Sequence, residues 1–251
     1  MTSLIRTAED FLTFVGELAI LLGDSVRRLL QRPHEIGETL NQMAFVGVAS
    51  VPIVAMTNFF SGAVLSLYST QFLTKYGASA FVGGTVGLSV AREIGPVLAG
   101  IMVAARCGSA MSAQIGTMAV TEQVDALKML SVHPTKFLVL PRVVAAVFML
   151  PILALVGIYA GVFGGWLVAT AGGVPSQTFI QSMQQYVVPW DFIGGVLKTP
   201  VFGLIVALVA CQQGLRTTGG AVGVGRSTTN TVVISMVLIY IANYFLAAVL
   251  F

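Results

Sequence analysis

Charge is what this chain has least of. Asp, Glu, Lys and Arg make up 9% of its 251 residues, against about 25% in an ordinary soluble domain. Hydrophobic residues reach 56% and mean hydropathy is +0.91, so composition alone implies an integral membrane protein. The formal net charge of +3 is small. No basic run or aromatic-interleaved patch is present, which excludes a nucleic-acid face. Cysteine is scarce too: Cys107 and Cys211 fall in apolar surroundings and read as buried free thiols, not as a disulfide or a redox pair. His34 and His133 stand beside Pro33 and Pro134, without a Cys, His or carboxylate at metal-ligand spacing, so no metal site is expected. No Ser, His and Asp arrangement suggests a nucleophile, and the chain is not expected to be an enzyme.

What is there is apolar length. Spanning a bilayer takes about 20 apolar residues, and five segments qualify, at residues 43–73, 80–112, 137–170, 192–211 and 229–251. Before them, Phe11, Val15, Leu18, Leu22, Val26 and Leu29 recur at helical spacing among Glu9, Asp10, Glu17, Asp24, Arg27 and Arg28, up to Pro33. Acidic residues inside that run argue against a signal peptide and for an amphipathic helix lying in the membrane interface. A short helix packed on a partner is the alternative. The predicted architecture is all-α: residues 1–42 an interfacial helix and connector, and residues 43–251 a five-span membrane domain.

Loops complete the layout. Residues 114–136 form a polar connection, 171–190 an interfacial loop and 212–227 a glycine-rich loop. Arg6, Arg27, Arg28 and Arg32, then Lys128, Lys136 and Arg142, then Arg216 and Arg226 all fall on one side, while Lys75 and Lys198 belong to the other. Positive residues mark the cytoplasmic side, which puts the amino terminus inside and the carboxyl terminus outside. Gly220, Gly223 and Gly225 before Arg226 and Ser227 imitate a phosphate-binding loop with arginine in the lysine position. That motif needs a strand before it and a helix after it, so a flexible cytoplasmic turn is the better reading. Gly157, Gly161 and Gly165 recur every four residues and invite close helix approach, within one subunit or between two.

Two features carry function. Arg92 and Glu93 sit side by side in the second span. A charge at that depth costs enough to be a functional hypothesis by default, with a structural charge network as the alternative. Neighbours on a helix point about 100° apart, so the two are poorly placed to pair only with each other and at least one needs a partner elsewhere. Pro96 bends the span just after them and frees backbone carbonyls. Further on, residues 120–130 place Val120, Val124, Leu127 and Leu130 on one helical face and Glu122, Gln123, Asp125 and Lys128 on the rest. Such a helix either rests on its own bundle or docks into a groove on another subunit.

The run Arg92-Glu93-Ile94-Gly95-Pro96-Val97, then Ala105-Arg106-Cys107-Gly108-Ser109-Ala110, then Ile115-Gly116-Thr117-Met118, closely resembles the MlaE (YrbE) permease family. Thr121-Glu122-Gln123-Val124-Asp125-Ala126-Leu127 and Pro141-Arg142 extend the likeness, which covers about residues 40–251. The resemblance implies a permease subunit of an MCE-type ABC transporter that moves phospholipid or related lipid between membranes, in the bacterial inner membrane. It implies a second permease copy, cytoplasmic ATP-binding subunits that carry ATP and Mg, and a ring of MCE-domain proteins. No cofactor is implied on this chain. The positions matching the family's lipid pocket at the dimer interface are Leu65, Phe72, Leu73, Tyr76, Arg92 and Glu93. Those matching its coupling helix are Thr121, Glu122, Gln123, Asp125 and Leu127. Where the family usually has Glu before the Ile-Gly-Thr-Met run, this chain has Gln114, and no role is carried onto it. Two rival readings stay open: a proton-coupled secondary transporter using Glu93, against which the lack of internal repeats counts, and a scaffold that only anchors the MCE ring.

Overall fold

An apolar chain inside a bilayer must satisfy its own backbone hydrogen bonds, which favours helix. Among the described residues every regular element is helical. The computed structural model describes residues 2–29 and 36–251, with side chains at 12–28 and 36–251. Arg32, Pro33 and His34 therefore fall outside the described residues, as do the side chains of Arg6, Glu9, Asp10, Phe11 and Leu29.

Among the described residues eleven α-helices follow one another: α1 Thr2–Leu29, α2 Ile36–Val46, α3 Val51–Lys75, α4 Val82–Ser89, α5 Gly95–Val103, α6 Ser109–Val120, α7 Gln123–Met129, α8 Leu140–Ala171, α9 Ser176–Tyr186, α10 Pro189–Leu215 and α11 Gly220–Leu250. Wider π-turns at Val90–Ile94, Ala104–Gly108 and Thr135–Val139 join α4 to α5, α5 to α6 and the α7 connection to α8. Of the described residues, five stretches are long and apolar enough to cross a membrane: Ile36–Lys75, Ser79–Val120, Thr135–Ala171, Pro189–Leu215 and Gly220–Leu250.

Boundaries differ from the sequence reading: the helical stretch of the first span already starts at Ile36, inside the expected connector. The second span continues as helix to Val120 instead of giving way to a polar connection at 114. Ile115 and Gly116 are buried there, and a Cβ on Gly214 would come within 2.8 Å of the Ile115 side chain, so packing on the end of α10 sustains the helix beyond the apolar run. Residues 176–186 are helix α9, not loop. Phe179 and Ser182 share one face, and the Ser182 hydroxyl accepts the Gly84 N–H at 2.9 Å, fastening α9 to α4. The glycine-rich stretch is also helical: α11 starts at Gly220, behind Gly219 with a φ of 85°, so residues 220–227 form no flexible turn. A bond between the Ser227 and Ser112 hydroxyls at 2.5 Å explains why this weak helix former holds its shape.

The glycine row of α8 packs within the subunit. A Cβ on Gly62 of α3 would lie 2.0 Å from the Gly161 carbonyl oxygen, and one on Gly164 would lie 2.3 Å from that of Phe59. The Ser66 hydroxyl donates to the Gly165 carbonyl at 2.6 Å. Two backbones in contact leave no room for any side chain at these positions. The interior holds three apolar clusters, one of which, around Val82, Val86, Val90 and Ile158, lies against the first π-turn.

Candidate functional site

Pro96 has no N–H, so the carbonyl one turn back, at Arg92, loses its helical partner. The π-turn holding Arg92 and Glu93 closes instead with the Gly95 N–H on the Val90 carbonyl. Lys198 of α10 takes up the orphan: its Nζ donates to Arg92 O at 3.0 Å, to Glu93 Oε1 at 2.7 Å and to Asn243 Oδ1 at 3.2 Å. An ammonium has three donors, and here all three are used. Its side chain is 0% exposed, a location that would cost about 2.5–3.5 kcal/mol for a cation without such partners. Pro200 on the same helix likewise frees the Val196 carbonyl, which the Thr199 hydroxyl fills at 2.7 Å.

The second half of the site mirrors the first. Arg92 reaches Asp191 Oδ1 through Nε at 2.8 Å and Nη2 at 2.6 Å. The other Asp191 oxygen accepts the Val188 N–H at 2.9 Å, so the same carboxylate caps the start of α10. Asn243 of α11 donates to Glu93 Oε2 at 2.6 Å. The Phe251 ring lies beneath both cations, 4.4 Å from the Arg92 guanidinium and 5.0 Å from Lys198 Nζ. Two cations and two anions cancel, and three spans are tied together at one level.

Close approach makes this possible. A Cβ on Gly195 would lie 2.0 Å from the Ala91 carbonyl oxygen, and one on Gly194 would lie 2.8 Å from the Phe251 ring. The Gly194–Gly195 pair thus lets α10 touch the π-turn backbone, which sets Lys198 one turn on within reach of Glu93. Lys198 and Asp191 are sealed, with Asp191 1% exposed, whereas Arg92 and Glu93 keep 34% and 42% of their side chains open. Glu93 lines a cleft of about 360 Å³ with Ser61, Ile94, Val97, Leu98, Tyr240 and Asn243.

The other residues of the expected pocket sit nearby in part. Ser61, Leu65, Phe72 and Tyr76 follow one another at intervals of four, seven and four along α3 and share one face. Phe72 and Tyr76 are exposed, with ring centroids 5.0 Å apart. Leu65 and Leu73 pack against the Val82–Ile158 cluster. Within one chain the Glu93 cleft includes none of Leu65, Phe72, Leu73 or Tyr76. Sequence reasoning missed Asp191 and Asn243 and counted Lys198 only as a loop charge. A lysine inside the apolar 192–211 segment was the available signal.

The expected coupling helix is α7, shorter than the 121–130 match. Its entry and exit lie at left-handed residues, Glu122 with φ 59° and Ser131 with φ 60°. Val132 N–H closes on the Leu127 carbonyl at 2.9 Å and Ser131 N–H on that of Lys128 at 3.0 Å, a Schellman ending with Ser in the usual glycine position. Val124 alone is buried, Leu127 is half-buried, and Met129 and Leu130 are exposed. The Thr121 hydroxyl donates to the Thr117 carbonyl and accepts from Gln123, while Asp125 pairs with Lys128 on the surface. The bundle thus covers Val124 and part of Val120 and Leu127, and leaves Leu130 and the neighbouring Met129 exposed.

An all-helical, multi-pass membrane protein with a charge cluster between spans and a projecting amphipathic helix is the class these features define. Residues 39–249 match the family described as Permease MlaE. A probable ABC transporter permease protein of Rickettsia bellii is 43% identical over 248 residues, 98% of this chain and 94% of that protein. One from Synechocystis is 42% identical over 232 residues, covering 92% and 88%. The chloroplastic protein TRIGALACTOSYLDIACYLGLYCEROL 1 of Arabidopsis thaliana is 36% identical over 233 residues, covering 92% of this chain and 67% of its own length. The chain belongs to the MlaE permease family and is an ABC transporter permease.

Proposed function

We propose that the chain is the membrane subunit of a lipid-moving ABC transporter in the bacterial inner membrane, its amino terminus cytoplasmic and its carboxyl terminus outside. It catalyses no reaction itself. ATP-binding subunits bind ATP and Mg and dock on α7, a second permease copy completes the lipid pocket, and MCE-domain proteins receive or supply phospholipid. The carrying observation is the half-open charge cluster: Arg92 and Glu93 stay 34% and 42% exposed while their partners Asp191 and Lys198 are sealed, and Glu93 lines a cleft. A cation and an anion side by side suit a charged lipid headgroup, and the exposed Phe72 and Tyr76 on the Ser61 face of α3 suit its tails. Leu65 lies on that face, and Leu65 and Leu73 anchor it on the Val82–Ile158 cluster. The galactolipid in the name of the Arabidopsis relative supports a lipid cargo.

At and just before the start of α7, the exposed Thr121, Glu122, Gln123 and Asp125 face the ATP-binding subunit, and Leu127 transmits its movement. The test is ATP-dependent transfer of fluorescent phospholipid from proteoliposomes holding the assembled complex. Arg92→Ala and Glu93→Ala are expected to lower both transfer and lipid-stimulated ATP hydrolysis, by roughly tenfold for one lost charged contact. Unchanged transfer in both variants overturns the pocket assignment. Leu127→Asp is expected to uncouple hydrolysis from transfer while assembly survives. Intact transfer in that variant would favour a scaffold that only anchors the MCE ring.

A further inference from the structure

A second cavity lies apart from the Glu93 cleft, between α1 and the neighbouring faces of α8 and α10, with a volume of about 410 Å³. Leu22 and Val26 close it from α1, Val144 and Phe148 from α8, and Val201 and Leu204 from α10. Ser25 is the one polar residue lining it, and that hydroxyl already donates to the Leu21 carbonyl at 2.7 Å. No lining side chain therefore asks for a polar ligand.

Direction and charge narrow the occupant. On α8 the lining runs from Leu140 to Phe148, about 12 Å of helical rise, within a membrane span. The groove thus follows the span axis, the direction in which a bilayer offers an apolar chain. Two cations adjoin the lining in sequence: Arg27 follows the lining residue Val26 on α1, and Lys136 lies one turn before Leu140. Neither has an acidic partner among the described residues, unlike Arg28, which is held by Asp24 at 2.8 Å. Cations beside an apolar slot at the membrane edge attract a phosphate.

We propose that this groove is a lipid-binding site that takes one acyl chain of an anionic phospholipid from the leaflet on the α7 side, with Arg27 and Lys136 at its phosphate. The lipid wedges between α1 and the spans and makes the helix a lipid-dependent part of the fold. It is a resident of the groove, separate from any cargo in the Glu93 cleft.

The protein, purified with its native partners and reconstituted in nanodiscs, is photolabelled with phosphatidylglycerol carrying a diazirine on its tail. Labelling is expected to concentrate on peptides holding residues 22–26, 140–148 and 200–204, above the level on the outward face of α11 at Val237 and Tyr244. Val144→Trp fills the slot and is expected to abolish the excess while α11 labelling stays the same. The double variant Arg27→Gln, Lys136→Gln leaves the slot open and tests the headgroup contact without touching the core. It is expected to lower groove labelling by roughly fivefold per cation removed. Groove labelling no denser than that of α11, or unchanged by Val144→Trp, overturns the site. Equal labelling by a phosphatidylcholine probe, or indifference to the double variant, overturns the anionic headgroup.

Discussion

Arg142 is buried near the start of α8, with Nη1 on the Leu138 carbonyl at 2.6 Å, Nη2 on the Gln114 amide oxygen at 3.2 Å and Nε without a partner. A carboxylate at position 114 would turn an ordinary hydrogen bond into a charge-assisted one. Gln114→Glu is therefore expected to raise stability by roughly 1 kcal/mol, read as a higher thermal midpoint in detergent. Gly195 is the opposite case. Its missing Cβ keeps α10 against the Ala91 carbonyl, and Gly195→Ala is expected to cost about 1–3 kcal/mol by overpacking and to weaken transport as Lys198 is lifted from Glu93. Thermal unfolding and lipid transfer measured on one preparation check both effects. The charged pair Arg92 and Glu93 was legible because a charge in an apolar run stands out without any knowledge of the fold. Its partners Asp191, Lys198 and Asn243 were not, since they lie 99, 105 and 150 residues away from their bonded partners and only tertiary packing brings them in.

At the scale of the element, apolar length located all five spans and failed where packing, not composition, makes the helix. Residues 176–186 look polar in sequence and are helical because Phe179 and Ser182 face α4; the glycines after 219 are helical because Ser227 meets Ser112. The amphipathic run of α1 was visible, yet its polar moorings were not: Glu17 accepts from Gln212 at 2.8 Å and pairs with Arg216 at 3.3 Å. Near its other end, hydrogen bonding to Arg28 holds the Asp24 carboxyl below its ordinary value, with smaller help from Thr135 and the charge of His133 against partial burial. A lowered carboxyl contributes fully above its ordinary value of about 3.9 and loses that contribution as pH falls through the lowered one. Docking of α1 is thus expected to be insensitive to pH from neutrality down to that range. Asp24→Asn imposes the acid state at neutral pH, and hydrogen exchange over residues 20–28 and 133–137 is expected to quicken together.

For the whole molecule, the contacts between spans are of two kinds. α3, α8 and α10 meet backbone to backbone: Gly62 on the Gly161 carbonyl, Gly164 on that of Phe59, and Gly203 on that of Ala146, where a Cβ would lie only 2.5 Å away. α11 instead buries a stripe of Ser227, Thr231, Ser235 and Ile239, flanked by half-buried residues such as Met236, Ala242 and Leu246, and meets its neighbours through side chains. Interlocked backbones behave as one rigid block, whereas a smooth stripe of small side chains can slide. Spin labels on the outward residues Phe60 and Phe163 are expected to keep their separation when nucleotide is added to the complex. A pair on Phe148 and Val237 is expected to change its distance, measured by double electron–electron resonance. Because α11 also carries Asn243, which donates to Glu93 and accepts from Lys198, each such slide would break or remake two hydrogen bonds at the charge cluster. Gly62, Gly164 and Gly203 then do more than let helices approach: by holding three spans as one stator, they are expected to leave α11 as the rotor.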